Sequence, residues 1–505
     1  MTHSRRVFAA LLMVCLTLSG CASGGVPDAS QTPDATLPPA TVGFVAPIGD
    51  ASLEYTADAT LYLPRHDGAR LVAVNTQVAF SLARPHAESL VRALLSYPGD
   101  GVASQVGGSV RLTLYGVNPV EVSRNVATVN LGATALQLDR ASLYLACQAI
   151  ANTLTELSGI HYVNVLVVDK PVGLDIGNSL PMGLLGRYNG NDVNAVYEQL
   201  LSRRVSTGEN PKEKALSANV ALYFPLPGQG GVMSEARAVS FGSQALEDMV
   251  IALLRELAEG PQEDIVSPAL PLLADLLASQ PVLDNTGTAG GDVLSLDFTY
   301  NLDEMLEAHG LNRAEGMASL CYTLCSFFPN LAGIRVSIGG EEITSVSSGG
   351  EEWTFSDGVL TRADFAHMLM DECVLYYADA ATGRLTQTRQ AAPYSQKTSP
   401  RALLPLLSQG PQEEALAAVM PEGCLQSTDI LGLALTEGTL LVNLSPAFLN
   451  IDLSAYDERL FAYAIVNTLC ADEKVASVCF FVSGSQFDGF GGDIYWRGLF
   501  YPMHL

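Results

Sequence analysis

Cys321 and Cys325 lie four residues apart in "GMASLCYTLCSFF", a spacing that puts both thiols on one side of a helix. Two thiolates so placed could hold a soft metal ion or form a redox pair. Cys147 and Cys470 lie in the equivalent helices of two similar stretches, among Leu, Ala and Ile, which favours these cysteines as small core hydrophobes. One helix also suits a disulfide poorly, and the seven cysteines after Cys21 cannot all pair within one chain. The histidines (His3, His66, His86, His161, His309, His367 and His504) are scattered, with no two at helical spacing, so no local general-base or metal set forms. The acidic clusters "EGPQED", "GGEEIT" and "GGEEW" lack the alternating ligands of a calcium loop and read as solvated loops. Neither a phosphate-cradling glycine loop nor a nucleophile elbow occurs. The sequence thus assigns no catalytic, cofactor-binding or metal-binding residue.

Chemistry is expected at the N-terminus. Arg5 and Arg6 precede an apolar run from Val7 to Leu18, too short to span a bilayer and the right size for a signal-peptide core. Leu18, Ser19, Gly20 and Cys21 resemble a bacterial lipobox, which implies cleavage before Cys21 and acylation of that cysteine. An ordinary secretory signal ending near a cysteine is the alternative. Two or three acyl chains would anchor the protein stably to a membrane. The following stretch, "ASGGVPDASQTPDATLPPATVG", is rich in Pro, Ser, Thr and Gly and reads as a tether. At about 30 residues its root-mean-square reach is roughly 30 Å.

The chain has 505 residues, 48% of them hydrophobic and 16% charged, enough for several cores and little disorder. Its formal charge of −26, with no basic cluster after residue 6, excludes nucleic acid as a partner.

The elements repeat. "LYLPRHDGARLVAVNTQVAF", "LYFPLPGQGGVMSEARAVSF" and "LYYADAATGRLTQTRQAAPY" open alike, at Leu61-Tyr62, Leu222-Tyr223 and Leu375-Tyr376. An aliphatic residue follows ten positions on (Leu71, Val232, Leu385) and an aromatic nineteen on (Phe80, Phe241, Tyr394). Next comes an amphipathic helix, stopped by "GPQE" at Gly260 and Gly410 and by "YPGDG" in the first copy. A strand pair, a second helix and a strand follow, with Asn130, Asp297 and Asn443 at one position. A short apolar return (Leu184-Leu185, Val359-Leu360, Leu499-Phe500) is expected to pair with that last strand. The fold class expected is α/β, of the two-layer α+β kind: three tandem β-β-α-β-β-α-β domains, both helices amphipathic and packed on one face of a mixed sheet. Expected boundaries are a leader over 1–20, a tether over 21–53, domains over 54–190, 218–362 and 363–505, and a helical, polar linker over 191–217. The second and third copies, joined at Thr361–Asp364, are expected to form the rigid pair.

This order, with "GTLLVNLS", the helix motif "VNTL" and the closing strand "SVCFFV", resembles the GerMN domain of sporulation and spore-germination proteins. The resemblance implies a fold related to ring-building motifs, no catalysis, and a role in binding or assembly outside the membrane. It points to a lipid-anchored envelope protein with a protein or cell-wall partner, and a homo-oligomer is compatible with it. The alternatives are a cell-wall enzyme with a site at a domain junction and a small-ligand-binding lipoprotein.

Overall fold

Each segment begins where apolar and polar residues alternate, the period that lays one face of a strand on a core. The computed structural model describes residues 43–66, 70–204, 208–226, 228–263, 269–286, 290–394, 399–492 and 494–504. The leader, Cys21 and the tether up to residue 42 lie outside them. A four-residue strand, β1 (Gly49–Ser52), comes first. In the first segment β2 (Glu54–Pro64) and β3 (Leu71–Ser81) form an antiparallel hairpin with Tyr62 opposite Ala73. After α1 (His86–Ser96), β4 (Val120–Ser123) pairs antiparallel with β5 (Val126–Leu131). The chain crosses through α2 (Arg140–Leu154) to β6 (Tyr162–Val167), parallel to β5. Two short strands, β7 (Lys170–Pro171) and β8 (Leu185–Gly186), return antiparallel onto β6, and α3 (Val193–Leu201) follows.

The middle segment has the same order with additions. Its hairpin is β9 (Leu216–Leu226) and β10 (Gly231–Phe241), followed by α4 (Leu246–Glu259). Its sheet holds β11 (Val282–Asp284), β12 (Asp292–Phe298), β13 (Leu331–Ile338) and β14 (Glu341–Glu342). Between β12 and β13 run α5 (Leu302–Ala308) and α6 (Arg313–Cys325), and a separate hairpin joins β15 (Ser345–Ser348) to β16 (Glu351–Thr354). The last segment comprises the hairpin β17 (Met370–Asp379) and β18 (Leu385–Pro393), then α7 (Pro400–Ser408) and the short β19 (Leu416–Ala417). Its sheet contains β20 (Ile430–Thr436), β21 (Thr439–Leu444) and β22 (Ser477–Val482), with α8 (Glu458–Leu469) between the last two. The early strand β1 adds to it, parallel to β20. The apolar returns pair where expected: Leu185 with Val163, Leu360 with Ile334, and Phe500 with Val478.

The first helix of each segment stops at a left-handed glycine. Gly260 caps α4 at φ +77°, and Gly99 and Gly410 take the same region just beyond α1 and α7. A side chain at Gly260 would also press on Ala269, its Cβ only 3.2 Å away.

The layering differs from the sequence-based expectation. Among the described residues none of the three hairpins is hydrogen-bonded to its sheet. The second helix touches both the hairpin and the sheet, and in the first two segments it is not amphipathic: Leu143 to Leu154 of α2 and Ala314 to Cys325 of α6 are buried without a break. A threonine of that helix accounts for the arrangement. The amide of Tyr62 donates to Thr153 Oγ1 at 2.9 Å, that of Tyr223 to Thr323 Oγ1 at 3.1 Å, and that of Tyr376 to Thr468 Oγ1 at 3.2 Å. On the strand edge that could have joined the sheet, this amide is taken by the helix instead.

The pairing of segments also differs. Residues 44–505 pack as one unit, and one apolar cluster runs through the first and middle segments, from Leu61 past Leu360, while a second fills the last. The outer face of β6 explains this: buried Asn164 donates to the carbonyl of Ser326 at 3.1 Å, and the Asn330 amide donates to the carbonyl of Pro171 at 2.9 Å. The first and middle segments therefore share a core, where the middle and last were expected to.

Replacing Thr323 with valine leaves the Tyr223 amide buried and unpaired. T323V should lower unfolding stability by about 1–3 kcal/mol in urea titration, and T323S should recover most of it.

Candidate functional site

The turn between β4 and β5, Ser123-Arg124-Asn125, is held by both other segments. Ser123 Oγ donates to the Met370 carbonyl at 2.7 Å and accepts from the Ser234 amide at 2.9 Å. Ser234 Oγ donates in turn to the Ser123 carbonyl at 2.6 Å. The Arg124 amide donates to Asp371 Oδ1 at 2.8 Å, and Arg124 itself is left-handed at φ +50°. A non-glycine residue keeps that conformation only where surrounding bonds over-determine it, as they do here.

The turn aims two polar side chains at a groove of about 610 Å³ between the first and last segments. Arg124 Nη2 lies 3.3 Å from Glu263 and its Nε 3.3 Å from Glu372, while Nη1 has no hydrogen-bond partner among the described residues. Asn125 Nδ2 donates to Glu263 at 3.2 Å, and its Oδ1 is likewise buried without a partner. Arg389 lies 3.5 Å from Glu372 at the rim. Apolar side chains including Pro85, Leu157, Val374 and Leu403 complete the lining. At the far wall His86 Nε2 is 2.9 Å from the Tyr55 hydroxyl and 3.4 Å from Asp472. Burial, then the charge of Asp472, push the Tyr55 phenol well above its ordinary pKa.

Glu263 is placed by a buried ion pair. Glu235 and Arg237, with side chains 2% and 6% exposed, bond to each other. The Glu235 carboxylate accepts the amides of Gln262 and Glu263 at 2.8 and 3.0 Å, while Arg237 donates to the Gly260 carbonyl at 2.8 Å. The "GPQE" stretch is therefore more than a helix stop: it delivers a carboxylate to the groove.

A second buried pair binds the first and middle segments. Arg362 Nη2 lies 2.5 Å from Glu121, and its guanidinium stacks 4.5 Å over the ring of Tyr322. Burial opposes the charge of Arg362, but Glu121, Tyr223 and Tyr322 outweigh it and raise the pKa. Tyr322 stands where the other second helices carry asparagine. Asn152 pairs with both backbone polar groups of Tyr188, at 2.8 and 3.0 Å, and Asn467 does the same with Met503. The Tyr322 hydroxyl is buried without such a partner, and burial raises its pKa well above the ordinary value.

Five of the seven described cysteines are buried in the core, while Cys424 and Cys470 are half-buried at its edge. Cys147, Cys321 and Cys325 are buried and unpaired; burial pushes the Cys147 thiol up to about 12, and Cys321 donates to the Leu360 carbonyl at 3.4 Å. Among the described residues no three His, Cys, Asp or Glu side chains converge as metal ligands. Of the scattered histidines, His86 and His161 reach the groove, His309 bonds the Met305 carbonyl, and His367 stacks on Trp353. The recurring position of Asn130, Asp297 and Asn443 is structural in the first and last segments: Asn130 bonds Asp169, and Asn443 accepts the Gly484 amide. Sequence reasoning missed Arg124, Asn125, Glu372 and Asp472, whose convergence leaves no local signal.

Two family-specific stretches flank this groove. Residues 60–173 and 374–488 match the Germane family, described as "Sporulation and spore germination", so these two stretches are GerMN-type domains. The tandem GerMN domains of the sporulation protein GerM from Bacillus subtilis are 17% identical to the chain, over 57% of this chain and 92% of theirs, at a TM-score of 0.21. The first GerMN domain of the same protein is 18% identical over 27% of this chain and 96% of its own, at a TM-score of 0.20. No curated protein matches the chain.

Replacing Glu235 with alanine takes one carboxylate from Arg237, which keeps Glu256 at 3.2 Å, and frees the loop that carries Glu263. E235A should cost about 1–3 kcal/mol in denaturant titration, beyond an exposed-pair variant such as R84A.

Proposed function

We propose that this protein is a lipid-anchored, non-enzymatic binding and assembly module of the cell envelope, acting in sporulation or germination, and that its middle segment is a third, diverged GerMN copy. The observation that carries the reading is the family match on both sides of one groove, in segments joined by a middle stretch with the same element order. The lipobox Leu18-Ser19-Gly20-Cys21 supports the anchor and an extracytoplasmic location. No helix among the described residues is long and apolar enough to cross a membrane, so the lipid would be the attachment. The partner is an envelope protein, and the −26 charge favours a basic one.

A junction-sited hydrolase is the second reading, since His86 and Asp472 meet at the groove. A general-base relay needs the two imidazole nitrogens to face different partners, one the orienting carboxylate and the other the nucleophile. Here the same Nε2 faces both Asp472 and the Tyr55 hydroxyl, which favours a structural contact between segments.

Affinity capture of the tagged full-length protein from membranes, at successive stages of growth and sporulation, tests the proposal. It predicts a reproducible protein partner and release of C21A from the membrane fraction. Recovery of no partner at any stage, or a membrane-bound C21A, contradicts it.

A further inference from the structure

The two orphaned polar atoms of the β4–β5 turn identify what the groove would hold. Arg124 Nη1 is an unused donor and Asn125 Oδ1 an unused acceptor, on successive residues of a turn fixed by both other segments. Leaving such atoms buried and unpaired costs about 1–3 kcal/mol each, a cost that a ligand supplying an acceptor and a donor together would relieve. A peptide group offers that combination, a carbonyl beside an N–H.

Charge decides what accompanies it. In the lining Glu263, Asp371 and Glu372 balance Arg84, Arg124 and Arg389 (3 − 3). Asp472 adds another carboxylate at the opposite wall, beside His86. An acidic ligand would be repelled there, and a lysine or arginine side chain attracted. The arrangement also supplies a way in. Arg124 is tied to Glu263 and Glu372 at 3.3 Å each, and these carboxylates are 39% and 25% exposed, within reach of an arriving cation. A ligand cation that takes over one of them loosens Arg124, whose guanidinium can then turn Nη1 to the ligand carbonyl. The partly exposed Pro85, Leu157, Val374 and Leu403 provide an apolar lining for a neighbouring aliphatic side chain.

We infer that the groove between the first and last segments binds an extended peptide stretch of a partner protein, in which basic and aliphatic residues alternate. Arg124 and Asn125 read its backbone, Glu263 and Glu372 its cation, and the Leu403 side of the groove its apolar residue. This rests on the binding-module reading and adds its site and ligand class.

The test uses the folded chain and three probes followed by saturation-transfer NMR and titration: N-acetyl-Leu-Lys-Leu-Lys-N-methylamide, the same peptide with Glu in place of Lys, and a trimer of N-acetylglucosamine. The lysine peptide should bind, and E372Q and L403S, each checked for an unchanged melting transition, should weaken it about tenfold. The glutamate peptide and the sugar should bind at least tenfold more weakly. Equal binding of both peptides, binding of the sugar alone, no binding of any probe, or full affinity in both variants would overturn the inference. Capture of a partner equally by wild type and by both variants would overturn the groove while leaving the module reading standing.

Discussion

A threonine hydroxyl on a buried helix, accepting the amide of a tyrosine on a hairpin strand, is the contact on which each segment depends. A strand edge inside a protein must find partners for its amides, and a neighbouring strand is the usual one. Here Thr153, Thr323 and Thr468 take that place. The hairpin can then lie on the helix without joining the sheet, so the helix is covered by the hairpin, the sheet and the first helix. Its all-round burial in the first two segments follows. So does the polar content of its buried surface, where Gln148 and Asn152 are bonded to each other and to backbone carbonyls.

The middle segment shows what happens when part of this scheme changes. Where the outer two segments use asparagine to bind the returning chain, it has Tyr322, and Arg362 stacks on that ring while reaching Glu121 of the first segment. A clamp within one segment has become a bridge between two. The middle segment, which also holds α5 and the β15–β16 hairpin, lies outside the two stretches that match the family. The same fusion gives the first and middle segments one core and leaves the groove at the seam with the last.

Much of the fold was legible in the sequence because it rests on local rules. The spacing of Leu61-Tyr62, Leu71 and Phe80 marks a hairpin, and the glycines at 99, 260 and 410 stop helices in the conformation expected of them. The layering was not legible, since alternation along a strand tells which face is buried and says nothing of what covers its edge. The helix α2 misled for a related reason: Gln148, Asn152 and Thr153 look like a solvent face in sequence and are buried among backbone partners in the structure. The groove was beyond reach altogether. Arg124, Glu263 and the pair Glu372 and Asp472 come from the first, middle and last segments, and only the packing brings them together.

The most direct measurement is hydrogen exchange resolved to single amides in the intact protein. If helix hydroxyls close the hairpin edges, the Tyr62, Tyr223 and Tyr376 amides should exchange as slowly as the inter-strand amides of their own hairpins. Exchange of these three at the rate of exposed loop amides would mean that the edges are open, and the account of the fold would fail with them.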